Sequence, residues 1–368
     1  MTRRQTTAVL TIDIDALVRN WKKLRARVAP ARCAAVVKAD AYGIGVDRAV
    51  PALARAGCRT FFVTHVAEGI RVRALLGDAS AQVYVLNGLL PFADIAADYI
   101  AHGLAPVLGS IEEMQRWARE AQGLSAALHV ETGMNRLGLS GFGNADALAR
   151  AVQQAGDSLK LDFVMSHFIS AERPEDPLNQ QQIQAFHSIR SALPALPGSL
   201  ANSSGIFLPQ NPFCNLVRPG YALYGGNPTP GHPNPMEVVI SLHADILQAR
   251  WVGAGETVGY NGIWKAPRPS RIATLAVGYA DGFPRGAAIG GGEAVVAGVY
   301  CPIVGRVSMD LMVLDVTSVP EAAAVSGVPV ELLGHYISID DLAARSGVIG
   351  YEILTGLGRR YHRIYVGG

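Results

Sequence analysis

Lys38 ends the apolar run A-A-V-V at residues 34–37, and that placement changes what its amine can do. An ammonium drawn against an apolar strand loses hydration, so its pKa falls and the neutral amine becomes accessible. A neutral amine attacks aldehydes, which makes Lys38 a candidate to hold a carbonyl cofactor as an imine. A strand-end lysine that simply reaches solvent is the plainer reading. His167 in M-S-H-F and Arg218 in V-R-P-G also follow apolar runs, and Tyr260 stands in the turn-like V-G-Y-N-G. By itself, His167 reads equally as a core histidine with satisfied hydrogen bonds, and Arg218 as a cation paired with a surface carboxylate.

Such residues need elements to bring them together. AAVV (34–37), TFFV (60–63), QVYVL (82–86), LAPVL (104–108), AALHV (126–130) and LDFVM (161–165) read as buried parallel strands, with further strands near 199–203 and 214–218. Between them, 47–57, 91–102, 110–122, 144–156 and 178–193 carry Ala, Leu and Ile at three- and four-residue steps, the spacing of a helix with one buried face. Ser110 and Glu113 form a capping box for one of them. Eight strand–helix units in about 200 residues fit a (β/α)8 TIM-like barrel, and a doubly wound open sheet is the alternative that pattern alone leaves open. Barrel active sites lie at the carboxyl ends of the strands, where Lys38 falls.

The segment G-G-N-P-T-P-G-H-P-N-P at 225–235 cannot continue a helix or a central strand and reads as a linker. The expected organisation is a barrel over 1–230 and a mostly β C-terminal domain over 231–368, with V-L-T-I-D-I at 9–14 a strand able to pair with the second domain. VVISLHADIL (238–247), RIATLAVGY (271–279), AVVAGVY (294–300) and MVLDV (312–316) read as its strands and 339–346 as a helix. Lysine plus arginine exceed aspartate plus glutamate by 32 to 30, and a net charge of +2 leaves no electrostatic footprint for nucleic acid or an anionic membrane. Cys33, Cys58, Cys214 and Cys301 show neither a CxxC pair nor metal-ligand spacing, so no disulfide framework and no metal site are expected. Arg3 and Arg4 are followed by Asp13 and Asp15 before an adequate apolar region develops, so no signal peptide is read. No apolar run approaches the ~20 residues of a membrane span. The expectation is a soluble, cytoplasmic protein.

The segment A-V-V-K-A-D-A-Y-G resembles the cofactor-lysine motif of the alanine racemase family nearly residue for residue. E-T-G-M-N-R-L-G, N-S-S, V-R-P-G-Y-A-L-Y-G, V-G-Y-N-G-I-W, V-G-Y-A-D-G-F-P-R, G-R-V-S-M-D and G-Y-E-I-L-T-G-L continue the likeness, in order, over essentially the whole chain. The resemblance implies a pyridoxal 5'-phosphate enzyme interconverting L- and D-alanine, either as D-alanine biosynthesis for cell-wall precursors or for alanine breakdown. It also implies a head-to-tail homodimer whose sites join one barrel to the partner's β domain. Racemisation removes a proton from Cα and returns one on the opposite face, so two bases must flank the substrate. Lys38 would be one; the resemblance makes Tyr260, supplied by the partner subunit, the other, with His167 able to stabilise its phenolate. Arg218 matches the arginine that faces the pyridine nitrogen. A guanidinium keeps its proton, so the ring is a weak electron sink and reprotonation outruns transamination or elimination. By the same likeness, Tyr42, Ser203, Tyr351 and the backbone of Gly220 and Tyr221 would bind phosphate. Arg136 and the backbone of Met309 would meet the substrate carboxylate, and Tyr279 and Asp310 would line the access channel.

Two departures stand out. Many relatives carry, seven positions before the equivalent of Arg136, a lysine whose carbamate holds that arginine; this chain has His129. Arg136 then needs another anion, water or carboxylate, or is looser. Ser199 stands where many relatives have a histidine near the ring-facing arginine, which predicts a shorter hydrogen-bond chain through Arg218. A broad-specificity, serine or basic amino-acid racemase is the nearest competing reading. A decarboxylase and a non-catalytic cofactor-binding protein are more distant ones.

Overall fold

Short, mostly apolar runs form the inner wall of a barrel. In the computed structural model, which describes residues 5–77, 79–140, 145–155, 158–193 and 196–368, Thr60–Val63 and Leu104–Leu108 are buried throughout. A strand covered on both faces has no solvent side to mark with polar residues. Ala35–Val36, Thr60–Val63, Gln82–Val85, Leu104–Leu108, Ser125–His129, Lys160–Met165 and Gly198–Ser199 lie side by side, parallel and in chain order. Leu216–Val217 closes the ring. On one side Asn215 N–H donates to Gly198 O and Arg218 N–H to Ala201 O, both at 2.9 Å. On the other, Ala34 N–H donates to Val217 O and Val36 N–H to Pro219 O, both at 3.0 Å. This closure rules out the open sheet. Phe62, Tyr84 and Phe163 fill the interior, with ring centroids 4.9 to 6.1 Å apart.

The outer helices include Val46–Arg55, Ile95–Ala101, Ile111–Glu120, Ala145–Gln154 and Pro177–Ser191. The expected helix ends at 144 and 156 lie outside the described residues, as do Arg3 and Arg4. Helices Ile14–Val28 and Val66–Leu76 were not marked by pattern; in V-A-E-G-I-R-V-R-A-L-L the apolar residues spread around the cylinder rather than along one stripe. Ser110 Oγ does accept from Glu113 N–H at 3.1 Å, but the Glu113 carboxylate turns to Gly109 N–H at 2.9 Å, so only half of the expected capping box forms.

The chain divides into two units: Val18–Leu223 with Asn227–Met236, and Met1–Leu17 with Tyr224–Gly226 and Glu237–Gly368. The second unit is built on Ile240–Val252, a strand long enough to pair along both edges. Its first half takes Ala8–Asp13 and Pro329–Leu333, and its second half takes Ser270–Leu275. Met312–Asp315, Val299–Val304 and Glu293–Val296 complete a closed ring back to Pro329–Leu333. Ala8–Asp13 buries Ala8, Leu10 and Ile12 in strict alternation, and also pairs in parallel with His362–Val366. The run AVVAGVY, expected as one strand, is a hairpin: Ala297 and Gly298, with φ of 48° and 81°, turn the chain so that Val296 faces Val299. Helix Ile339–Ser346 starts at Ser338, whose Oγ accepts from Asp341 N–H at 3.0 Å, and is followed by an unmarked helix, Gly350–Thr355. Among the described residues no helix is long and apolar enough to cross a membrane.

Candidate active site

After Lys38 the backbone turns the unusual way. Ala39, Asp40, Ala41 and Tyr42 all have φ between 52° and 55°, a left-handed turn that costs roughly 1–2 kcal/mol for each such residue. Side chains hold it in place. Glu68 accepts from Ala39 N–H at 2.7 Å and Thr64 N–H at 2.8 Å, and Asp40 accepts from Val46 N–H at 2.9 Å. The half-buried Lys38 has its pKa pushed down by burial first and by the Arg136 guanidinium second, with Glu68 opposing. The amine is therefore readier to lose its proton than a solvated lysine.

Beside it, across the last two barrel strands, donors converge. Ser203 Oγ accepts from Gly220 N–H at 3.0 Å and Ala222 N–H at 3.1 Å, which draws the start of the Tyr221–Tyr224 turn onto the serine. A Cβ at Gly220 would lie 2.3 Å from Tyr42 Oη, so only glycine lets that phenol reach the turn. Ser203, expected within a strand, instead precedes the short 3-10 helix Ser204–Phe207.

Arg218 is 4% exposed. One terminal nitrogen donates to Ser199 O at 2.9 Å and Ser199 Oγ at 2.6 Å; the other donates to Ser166 O at 2.6 Å and lies 3.4 Å from His167 Nδ1. Among the described residues no acceptor meets its Nε–H. Burial pushes its pKa down to about 10, still far above neutrality. The Ser199 hydroxyl also donates to Leu216 O at 2.7 Å, so the residue in the departing position still links Arg218 to the eighth strand. His167 is pushed down to about 3 by burial and then by Arg218, and His129 to about 4 for the same two reasons. Both rings are neutral at pH 7, so any help from His167 to a phenolate comes through an N–H and not through charge. Arg136 is exposed, and among the described residues no carboxylate pairs with its guanidinium.

The remaining residues belong to the second unit. Tyr260 is 70% exposed on a turn where Gly259, Asn261 and Gly262 all have positive φ. It lines a cleft of about 570 Å³ with Arg250, Thr257, Arg306 and Ser308. Arg306, whose buried Nε–H finds no acceptor among the described residues, was passed over as a single letter of a motif. Tyr279 N–H donates to Ser308 O and Ala280 N–H to Met309 O, both at 3.0 Å, which brings Tyr279 and Met309 together. Asp310 accepts from Arg360 at 2.8 Å, and Arg360 also meets Asp281 at 3.1 Å. Tyr351 is exposed on Gly350–Thr355. Lys38, Tyr42, Arg136, His167, Ser203, Arg218, Gly220 and Tyr221 thus share the barrel, and Tyr260, Tyr279, Met309, Asp310 and Tyr351 share the β unit. Glu68 gave no sequence signal, because its role is to cap a loop distant in the chain.

A half-buried amine of lowered pKa at the end of a barrel strand makes this a barrel suited to hold a carbonyl compound. The comparisons make the class specific. The Alanine racemase, N-terminal domain family matches residues 12–228, and the Alanine racemase, C-terminal domain family residues 239–365. An alanine racemase of Methylobacterium nodulans is 53% identical over 98% of this chain and 96% of its own. A catabolic alanine racemase of Mesorhizobium japonicum is 44% identical over 98% and 94%. Among solved structures, the Bartonella henselae alanine racemase with covalently bound pyridoxal phosphate superposes with a TM-score of 0.90 at 36% identity, covering 98% of this chain and all of that one. The chain belongs to the alanine racemase family.

Proposed function

We propose that Lys38 and Tyr260 are the two bases of the reaction, one for each face of Cα, and that Tyr260 acts in the site of a second copy of the chain. The activity itself follows from family membership: the chain racemises alanine with pyridoxal phosphate as cofactor. Its own residues fit that group, with an amine of lowered pKa for the aldehyde, the Ser203, Gly220 and Tyr42 cup for the phosphate, and the unused Nε–H of Arg218 for the ring nitrogen. When bound, the cofactor supplies a conjugated electron sink that acidifies Cα–H.

Lys38 Nζ would hold the cofactor's aldehyde carbon, and its amine would take or return the proton at the substrate Cα on one face. Tyr260 Oη serves the other face. Arg136 and the Met309 N–H, which meets no acceptor among the described residues, bind the substrate carboxylate and fix which bond points at each base. Tyr351 adds a hydroxyl to the phosphate cup, and Tyr279 and Asp310 border the access channel. Buried Arg218 carries the reading of the reaction type: a cation that keeps its proton at pH 7 offers the ring nitrogen a hydrogen bond without protonating it, and so favours return of the proton to Cα. The 70% exposure of Tyr260 within its own unit supports a homodimer with shared sites.

Incubating the cofactor-loaded protein with L-alanine in deuterated water should give D-alanine with deuterium at Cα. Failure to invert alanine would sink the reading. Faster inversion of serine or a basic amino acid would move it to the broad-specificity alternative, and release of carbon dioxide to a decarboxylase.

A further inference from the structure

Among the described residues Arg136 has no side-chain partner, yet the loop that carries it is firmly built. Its ends are pinned to one another, Leu139 N–H donating to His129 O at 2.9 Å and Glu131 N–H to Leu139 O at 3.0 Å. Gly138, with φ of 111°, packs so close that a Cβ there would lie 3.1 Å from Glu131 N and 3.2 Å from the His129 ring. Within the loop the Glu131 carboxylate turns back on its own backbone. Gly133 N–H donates to it, and the amides of Met134, Asn135 and Arg136 face it. Burial pushes the Glu131 pKa up, but these amides outweigh burial and hold the carboxyl below its ordinary range. The loop is also tied sideways. Thr132 Oγ1 lies 2.6 Å from Ser166 Oγ and accepts from Gln182 Nε2 at 3.2 Å, while Gln182 donates to His167 O at 2.8 Å and accepts from Ile169 N–H at 3.0 Å.

We infer that Glu131 is the positioning residue for Arg136: it supports the arginine through the loop backbone, which leaves the guanidinium's donors unspent for the substrate carboxylate. This rests on the reading of Arg136 as the carboxylate anchor. A guanidinium held by a side-chain anion spends donors and charge on that anion; one held through its backbone keeps both for the ligand. His129, neutral and packed against Gly138, then shapes the base of the loop and has no need to act as a counter-ion.

The test compares Glu131→Gln, Glu131→Asp and Arg136→Lys in the cofactor-loaded protein, by steady-state kinetics, calorimetric titration with acetate, and thermal midpoint. Glu131→Gln should raise both the KM for L-alanine and the acetate Kd about tenfold, with kcat altered less than about threefold. Glu131→Asp should recover most of both, and Arg136→Lys should raise both. An unchanged KM and acetate Kd in Glu131→Gln, beside a rise in Arg136→Lys, overturns the inference and leaves the anchor reading intact. A fall in kcat or thermal midpoint with KM unmoved also overturns it, as a merely structural role. No effect in Arg136→Lys removes the anchor reading itself. Should Glu131→Gln not fold, a Glu131→Asp protein with wild-type KM and acetate Kd but a lowered thermal midpoint counts as the overturning result.

Discussion

Lys38 and Tyr260 meet solvent in opposite ways. The lysine is half-buried at a barrel strand end, its pKa lowered by burial and by a neighbouring guanidinium, on a left-handed turn that Glu68 and Asp40 hold in place. The tyrosine is 70% exposed on a turn made of glycine and asparagine. One base has its environment built by its own unit, whereas the other is only presented. The setting of Lys38 is therefore bound up with barrel folding, while Tyr260 has from its own unit only the open cleft with Arg250, Thr257, Arg306 and Ser308.

Several substitutions can break or sharpen this contrast. The largest effect is expected from Lys38→Ala, which removes both cofactor attachment and one base; kcat for alanine should fall by at least about 10⁴-fold. Residual activity near that of the wild type would end the two-base scheme. Tyr260→Phe should lower kcat by roughly 10²–10³-fold in both directions, with almost no change in thermal midpoint because the hydroxyl carries no packing. Mixing it with Lys38→Ala under subunit exchange should restore about a quarter of wild-type activity, since half the dimers then hold one intact site. No recovery would confine both bases to one chain.

The smallest effect concerns stability. His129 has its pKa lowered from 6.5 to about 4 in the folded state, so the unfolded chain binds more protons between those values. Its contribution is present above pH 6.5 and is lost as pH falls toward 4, on the order of 3 kcal/mol. In His129→Asn the thermal midpoint should fall less steeply over that window. An unchanged acid limb would mean that the ring is not the neutral, desolvated group described.

The barrel strands were legible because a run such as Leu104–Leu108 is apolar at every position and short. Val66–Leu76 was not, since its apolar residues form no stripe, and the hairpin at Ala297 and Gly298 was hidden because two β-branched runs meet across a turn of only two residues. At the site, Lys38 stood out by its neighbours in sequence. Glu68 did not, for it acts on Ala39 N–H, which only folding brings near, and Arg306 gave no signal because only folding sets it in the cleft with Tyr260.

By itself the sequence determined the alternation of strands and helices and, through its motifs, the family. These are local properties, carried by residue type and spacing. Tertiary structure alone decided that Ala8–Asp13 pairs with Ile240–Val252, that Ser199 completes the support of Arg218, and that burial and the Arg136 guanidinium lower the Lys38 pKa. Pairing partners and pKa values depend on what lies within a few ångströms in space, and positions far apart along a chain do not encode that separately from the fold.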